Sequence, residues 1–212
     1  MTQTANKRTA VALLLVSVLA VWSGTSAADE TAPCRVARKV GGATIQHNAA
    51  IVSAETGAPV AAGDRVVTAA GGRVEIGCSD GSTIVVGEQS DVSLAIFDRA
   101  GGERRRTGLL DLLAGILRLH IPPDDSGGRI DVLTATAVAS ARSTHWIVDA
   151  KPGTTGVFVA EGSVAVSARD GRGAVLLQPG FGTDVPAGGV PTPPKRWGQQ
   201  RVDSAMARTA LP

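Results

Sequence analysis

The sequence predicts an all-β fold, and three observations carry this prediction. Short stretches within residues 35–185 alternate apolar and polar side chains with a period of two, the pattern of half-buried strands. Glycine and aspartate separate these stretches, as expected for tight turns with unusual backbone dihedrals. Helical periodicity is nearly absent. The apolar run 107–115 is the one candidate helix, but its continuation alternates and two prolines end it, so we expect a turn leading into a strand.

A short internal sequence repeat, which we call the internal echo, refines the expected architecture. Residues 113–119 (LAGILRL) and 160–166 (AEGSVAV) share the pattern apolar-x-Gly-x-apolar-x-apolar. Stacked β coils show such echoes, because each coil covers the open edge of the one before it. We therefore expect many short strands in a solenoid-like or rolled β-sheet, with a β-sandwich as the alternative, since any two hairpins can share this pattern.

The N-terminus has the layout of a secretory signal peptide. Lys7 and Arg8 precede an apolar run, and the small residues 23–28 follow it. The largely apolar run 10–22 spans thirteen residues, shorter than the roughly 20 that a membrane-spanning helix needs. We expect cleavage near Ala28, no stable membrane insertion afterwards, and a periplasmic or secreted location.

The expected mature chain is formally neutral. Cleavage would lower the 21 basic residues to 19, against 19 acidic ones, and leave about 184 residues, enough for one domain. A neutral chain lacks the basic face that nucleic-acid binding requires. We assign residues 29–189 to one β domain and residues 190–212 to a Gly/Pro-rich and polar tail. We expect that tail to be loosely ordered, with Trp197 pinning it to the domain.

Cys34 and Cys78 are the two cysteines, and both follow the signal peptide. An oxidising compartment favours pairing them. A disulfide closing this loop would contribute about 3 to 4 kcal/mol; two free buried thiols are the alternative.

A charged loop interrupts the strand pattern at residues 98–106. Its basic tip consists of Arg104, Arg105 and Arg106. Such a tip could contact a phosphate or an acidic partner, although a solvated hairpin end is the favoured interpretation.

Several motifs, taken in order, resemble the FecR domain. Residues 63–68 (GDRVVT), 73–76 (RVEI), 80–87 (DGSTIVVG) and 90–94 resemble its first half, and residues 132–146, 157–167 and 175–184 resemble its second half. The positions that carry this resemblance are Gly63, Asp64, Asp80, Gly81, Arg142, Thr144, Trp146, Glu161 and Gly162. Where the family has Arg-Gly-Thr followed by an acidic residue and an aromatic one, this chain has Arg142-Ser143-Thr144-His145-Trp146. A serine in place of the glycine suggests that the backbone there is not tightly left-handed, or that the strand is regular.

The resemblance implies the exported β domain alone. The best-known members of the family regulate iron uptake and carry an anti-sigma segment and a transmembrane helix ahead of that domain, and neither is expected here. We therefore expect a non-enzymatic module that binds or senses an envelope partner, which would be a protein or, alternatively, a polysaccharide such as peptidoglycan. Scarce aromatic residues disfavour the polysaccharide.

The sequence offers few candidates for catalytic or metal-binding residues. His47, His120 and His145 lack metal-ligand spacing, so neither a metal nor another cofactor is expected. Ser143, His145 and Asp149 could form a hydrolytic triad only with an oxyanion hole that the sequence does not indicate, so we assign no catalytic residue.

The segment around Trp146 is expected to be a strand with the indole buried. One face would then carry Val138, Ser140, Arg142, Thr144 and Trp146.

Overall fold

The structure is a computed structural model that describes residues 34–99, 106–123 and 128–212. The first eight strands are β1 Cys34–Val40, β2 Ala43–His47, β3 Ala50–Ser53, β4 Pro59–Val60, β5 Arg65–Thr68, β6 Arg73–Cys78, β7 Thr83–Val86 and β8 Asp91–Arg99. The remaining elements are β9 Arg106–His120, β10 Arg129–Leu133, β11 Ala137–Lys151, β12 Thr154–Ala168, β13 Val175–Leu177, β14 Phe181–Pro186, β15 Lys195–Arg196 and the helix α1 Gln199–Arg208. The all-β prediction is confirmed.

Local alternation explains the early strands. In β6, Val74 and Ile76 are fully buried, whereas Arg73 and Glu75, which alternate with them, are half-buried on the opposite face. The turn to β7 is closed by Asp80, whose carboxylate accepts a hydrogen bond from the Ser82 amide at 2.7 Å. Gly81 has a φ of +82°, a conformation that favours glycine.

The strands form one continuous sheet. Its main path runs β15-β14-β12-β11-β10-β9-β7-β6-β1-β4, and β2, β3, β5, β8 and β13 branch from it. β9 and β10 pair in parallel, whereas the other strand pairs of the described chain are antiparallel. The predicted rolled sheet is confirmed, and the β-sandwich alternative is replaced by this single large open sheet.

Three strands, β9, β11 and β12, have fifteen residues each. Each contains an irregular point at which the alternation of core-facing and outward-facing side chains shifts. Gly115, Ser143 and Gly162 mark these points with φ values of +93°, +45° and +79°. Gly115 and Gly162 are the glycines of the internal echo, so the echo reflects bulges in two long strands.

The expected turn within residues 107–115 is wrong. This segment lies inside β9, where it pairs with β8 on one side and β10 on the other. Leu110 and Leu112 point into the core, whereas Leu113 is exposed. The leucine run is therefore a strand that carries apolar residues on both faces.

One large core fills the inner face of the sheet, and Trp146 is among its largest fully buried side chains. The predicted burial of Trp146 is confirmed. The predicted face is wrong in part, because Ala139 and Ala141 point inward before Ser143, whereas Thr144 and Trp146 point inward after it. The bulge at Ser143 shifts the alternation by one residue.

The C-terminal region is ordered, contrary to the expectation of a loose tail. β15 pairs with β14, and α1 lies against the outer face of the sheet. Trp197 is buried and anchors this region, as expected.

Candidate partner-binding surfaces

The motif residue Asp64 fixes the base of a projecting hairpin. Its buried carboxylate accepts a hydrogen bond from the Ala61 amide at 2.9 Å and contacts His47 Nδ1 at 2.5 Å. Gly63, with a φ of +91°, makes the tight turn just before it. Because His47 ends β2, the Gly63-Asp64 pair positions β2 and β3, which we call the edge hairpin.

The edge hairpin exposes two large apolar side chains. All four residues of β3 are exposed, with Ile51 at 65% and Val52 at 53%. Val52 lies opposite Ile45, whose side chain is buried in the core. Since directly opposite residues share a sheet face, Val52 extends the core face beyond its last covered residue.

β3 is an edge strand of the described chain. It hydrogen-bonds to β2 alone, so its other side presents backbone groups to solvent. Its end is held by Glu55, which accepts hydrogen bonds from Lys39 and Ser53, each at 2.6 Å. These bonds, with Lys39 first, lower the pKa of Glu55.

The second group of motif residues forms the bulge between β11 and β12. Thr144 is buried, and its hydroxyl lies 2.5 Å from the Arg142 carbonyl oxygen and 3.1 Å from that of Ser163. Gly162 lies against this bulge, whereas Arg142 and Glu161 are exposed. The expected regular strand at Ser143 is wrong, because Ser143 adopts the left-handed conformation that suits the glycine of the family pattern.

His145 replaces the acidic residue of the family pattern. It pairs with Glu161 on one neighbouring strand and His120 on the other, with the two imidazole rings 5.7 Å apart in an edge arrangement. Burial lowers the pKa of His145, nearby Arg118 and His120 lower it further, and Glu161 opposes them. The lowered pKa favours the neutral imidazole at neutral pH.

Ser143, His145 and Asp149 do not form a triad. Asp149 lies four residues beyond His145 on β11, about 13 Å along a strand. Its carboxylate instead binds Arg208 at 2.9 Å and Lys151 at 3.0 Å. Among the described residues, no group of three or more His, Cys, Asp or Glu side chains is placed to hold a metal ion.

Cys34 and Cys78 form the predicted disulfide. They lie directly opposite each other on β1 and β6, with their Cα atoms 3.9 Å apart. The disulfide prediction is confirmed.

Two predicted features lie outside the described residues. These are the signal peptide, 1–28, and the arginines Arg104 and Arg105 of the basic loop. Arg106 begins β9 and pairs with Arg99 at the end of β8. The role of this loop in partner binding stays a prediction.

The sequence pattern did not predict the surface formed by the C-terminal region. We call residues 197–209 the C-terminal strap, and we call the sheet surface beneath it, built on Ile116, Ile147 and Phe158, the outer groove. The Trp197 ring stacks on Phe158 with their centroids 5.2 Å apart, and the Arg201 guanidinium lies 3.5 Å from the centroid of the Trp197 ring. Arg201 also forms two hydrogen bonds with Asp184, at 2.9 and 2.5 Å.

The C-terminal end of the strap is held by arginines of the sheet. Arg73 donates a hydrogen bond to the Arg208 carbonyl oxygen at 3.1 Å, and Arg118 donates one to that of Thr209 at 3.0 Å. Two glycines of the sequence, Gly156 and Gly182, make room for this packing, because they lie beneath Trp197. Nothing in the sequence pattern linked them to Trp197.

The fold and these surfaces define a class of protein: an all-β domain built on one large open sheet with an exposed apolar edge strand. Residues 64–165 match the family model described as FecR protein. The resemblance to the FecR family is thereby confirmed over these residues. Among the described residues, no helix has the length and apolar character needed to cross a membrane.

Solved structures support the fold. Two crystal structures of a protein assigned as an anti-sigma factor from Parabacteroides distasonis ATCC 8503, at 1.65 and 2.50 Å resolution, align with TM-scores of 0.52 and 0.54 at 17% identity. The alignments cover 66% of this chain and 63% and 62% of those chains, less than two thirds of their length. This similarity shows the fold alone. No protein with curated annotation matches the sequence.

Proposed function

We propose that this chain is an exported, non-enzymatic FecR domain that binds a protein partner in the bacterial cell envelope in a signalling role. The FecR match over residues 64–165 supports a regulatory role, because the best-known members of the family are regulators. The partner is a protein that recognises the domain through the edge hairpin.

The exposed edge of β3 is the observation that carries this proposal. Extended segments of a partner bind exposed strand edges by adding a strand, with affinity from main-chain hydrogen bonds and specificity from alternate side chains. A strand added beside β3 would continue the sheet and cover Val52 on the core face. An exposed, apolar edge left unpaired is an aggregation hazard, so a partner that covers it resolves that hazard.

Burial of the aromatic residues makes a polysaccharide a weaker candidate. Trp146, Trp197 and Phe158 are all buried, and the half-buried Phe181 is covered by Arg196 with its guanidinium 5.0 Å from the ring centroid. Among the Phe and Trp side chains that the structure describes, none offers the open ring on which a sugar stacks.

Export is supported by the disulfide. A bond between Cys34 and Cys78 persists in oxidising compartments and is rare in the cytosol. Together with the predicted signal peptide, it favours the periplasm or the exterior as the working location.

A paired binding experiment tests the proposal. Purified protein would be used to capture periplasmic proteins, and in parallel it would be applied to an array of envelope glycans. We expect specific capture of one protein by the parent and its loss in Val52→Lys, because a lysine on an edge strand opposes strand addition. Leu176→Lys is the matched control, since Leu176 is 58% exposed on a different strand, β13. Binding to a glycan, with protein capture unaffected by Val52→Lys, would overturn the proposal.

A further inference from the structure

The outer groove is shaped to accept a helix with an aromatic anchor. A Cβ atom on Gly182 would lie 2.2 Å from Trp197 Nε1, and one on Gly156 would lie 2.6 Å from the Arg201 guanidinium. A Cβ on Gly87 would lie 2.9 Å from the Arg208 carbonyl oxygen. None of these three glycines has a positive φ, so a turn does not require them. Their lack of a side chain instead lets the strap approach the sheet closely. The groove is thus a fitted surface along the length of the strap.

The strap has little helical stability of its own. Its N-cap is Gly198, which provides no side-chain hydrogen bond, and no acidic residue stands in the first turn. A ten-residue helix is marginal in water without tertiary contacts. Ala205 is the one buried residue within α1, Val202 and Met206 pack against the groove while only partly buried, and Trp197 ahead of the helix stacks on Phe158. The helix therefore forms because the groove holds it.

The groove also selects the direction of the helix. Asp184 binds Arg201 in the first turn of α1, and Asp149 binds Arg208, its last residue. At the C-terminal end, Arg73 and Arg118 also donate to main-chain carbonyl oxygens, where a helix carries partial negative charge. These two hydrogen bonds go to the backbone of the strap, so another helix of the same polarity can accept them; Arg118 also contacts Met206 Sδ at 3.9 Å.

We propose that the outer groove is a docking site for an amphipathic partner helix with an aromatic anchor and arginines spaced like those of the strap, and that the strap occupies it in the resting state. A partner helix binds by displacing the strap. The stability of the docked strap therefore sets the partner concentration that binding requires. This site lies apart from the edge hairpin and goes beyond the function proposed above. Its failure leaves the strand-addition proposal standing, because Ile51 and Val52 take no part in it.

Native-state hydrogen exchange tests displacement on the unaltered protein. We expect amides of α1 to exchange through local opening, faster than those of β7 and β11, because a displaceable element belongs to the low-stability part of a fold. Exchange of the α1 amides only through global unfolding, at the same rate as the core strands, would overturn the proposal.

A peptide of residues 195–210, labelled with a fluorophore, tests the groove itself. We expect it to bind the full-length Trp197→Ala protein at least about tenfold more tightly than the parent, because the weakened strap competes less for the groove. Leu176→Ala is the control and should bind like the parent. The double variant Trp197→Ala with Gly182→Leu should lose binding, since leucine fills the anchor position. Equal affinity of the peptide for the parent and Trp197→Ala, or unchanged affinity in the double variant, would overturn the proposal.

Discussion

Ser143 and Gly162 face each other where β11 and β12 bulge, and each is fitted to the other. A Cβ atom on Gly162 would lie 2.6 Å from the Ser143 carbonyl oxygen and 2.8 Å from Thr144 Oγ1. Both residues are left-handed, with φ values of +45° at Ser143 and +79° at Gly162. The contact between the long strands is therefore tight at the point where the buried face switches.

Ser143→Gly should stabilise the protein by about 0.5 to 1 kcal/mol. A side chain at a left-handed position is strained, and glycine removes this strain at a smaller entropic cost. Ser143→Ala is the matched control and should stay within about 0.5 kcal/mol of the parent, because it keeps the strain and removes only an exposed hydroxyl. Urea unfolding measures both. A destabilised Ser143→Gly would mean that the serine hydroxyl supports the bulge.

Gly162→Ala should cost clearly more than Gly153→Ala. Both glycines have a positive φ, but a Cβ at Gly153 meets nothing within 4 Å. Gly153→Ala should therefore cost about 1 to 2 kcal/mol from backbone strain alone. At Gly162 the close contacts should add about 1 to 3 kcal/mol. Equal free energies of unfolding for the two variants would contradict the close approach at the bulge.

Trp146→Ala should lower the free energy of unfolding by about 3 to 5 kcal/mol, the range for truncating a buried aromatic residue. The indole is fully buried, and its N–H has no hydrogen-bond partner among the described residues. Trp146→Phe should therefore cost much less, because it keeps a ring and removes an unsatisfied donor. Thermal and urea melts check the pair. A Trp146→Ala protein as stable as the parent would place the ring at the surface.

Acidification should release the strap through Asp184. The hydrogen bonds from Arg201 are the main cause that holds the pKa of Asp184 below its ordinary value of 3.8, and burial opposes them. A folded-state pKa below the unfolded one means that the pair stabilises docking above about pH 4 and that this contribution is lost as the pH falls through the lower, folded value. Fluorescence of Trp197, measured in the Trp146→Phe chain from residue 29 onward, should report this release.

Asp184→Asn is the control variant in the pH experiment. This variant lacks the titrating carboxylate, so its strap should be weakened at neutral pH and should lose the acid transition assigned to Asp184. An identical acid transition in the parent and in Asp184→Asn would assign the release to another group.

The sequence predicted what depends on neighbouring residues. Alternation predicted strands such as β6, and the spacing of Asp80, Gly81 and Ser82 predicted a turn. The disulfide followed from compartment and cysteine count, and the burial of Trp146 followed from the scarcity of other aromatic residues. Each of these inferences needs only local chemistry or composition.

The sequence did not predict what depends on distant contacts. Packing against Gly162 imposes the left-handed conformation of Ser143. Serine rarely adopts this conformation, so the sequence predicted the wrong core-facing residues for part of β11. The helix α1 follows a Gly/Pro-rich stretch and has weak end signals, because its stability comes from the outer groove. The role of β3 as an edge strand is a property of sheet order, which alternation does not encode.

Site-specific photocrosslinking in living cells tests directly whether a partner binds at the edge hairpin. A photoreactive amino acid would replace Val52 on β3 or, as a control of similar exposure, Leu176 on β13. We expect a covalent adduct with one envelope protein from position 52 and none from position 176. An adduct from position 176 alone, or none from position 52 in a protein that is exported and folded, would contradict partner binding at the edge hairpin.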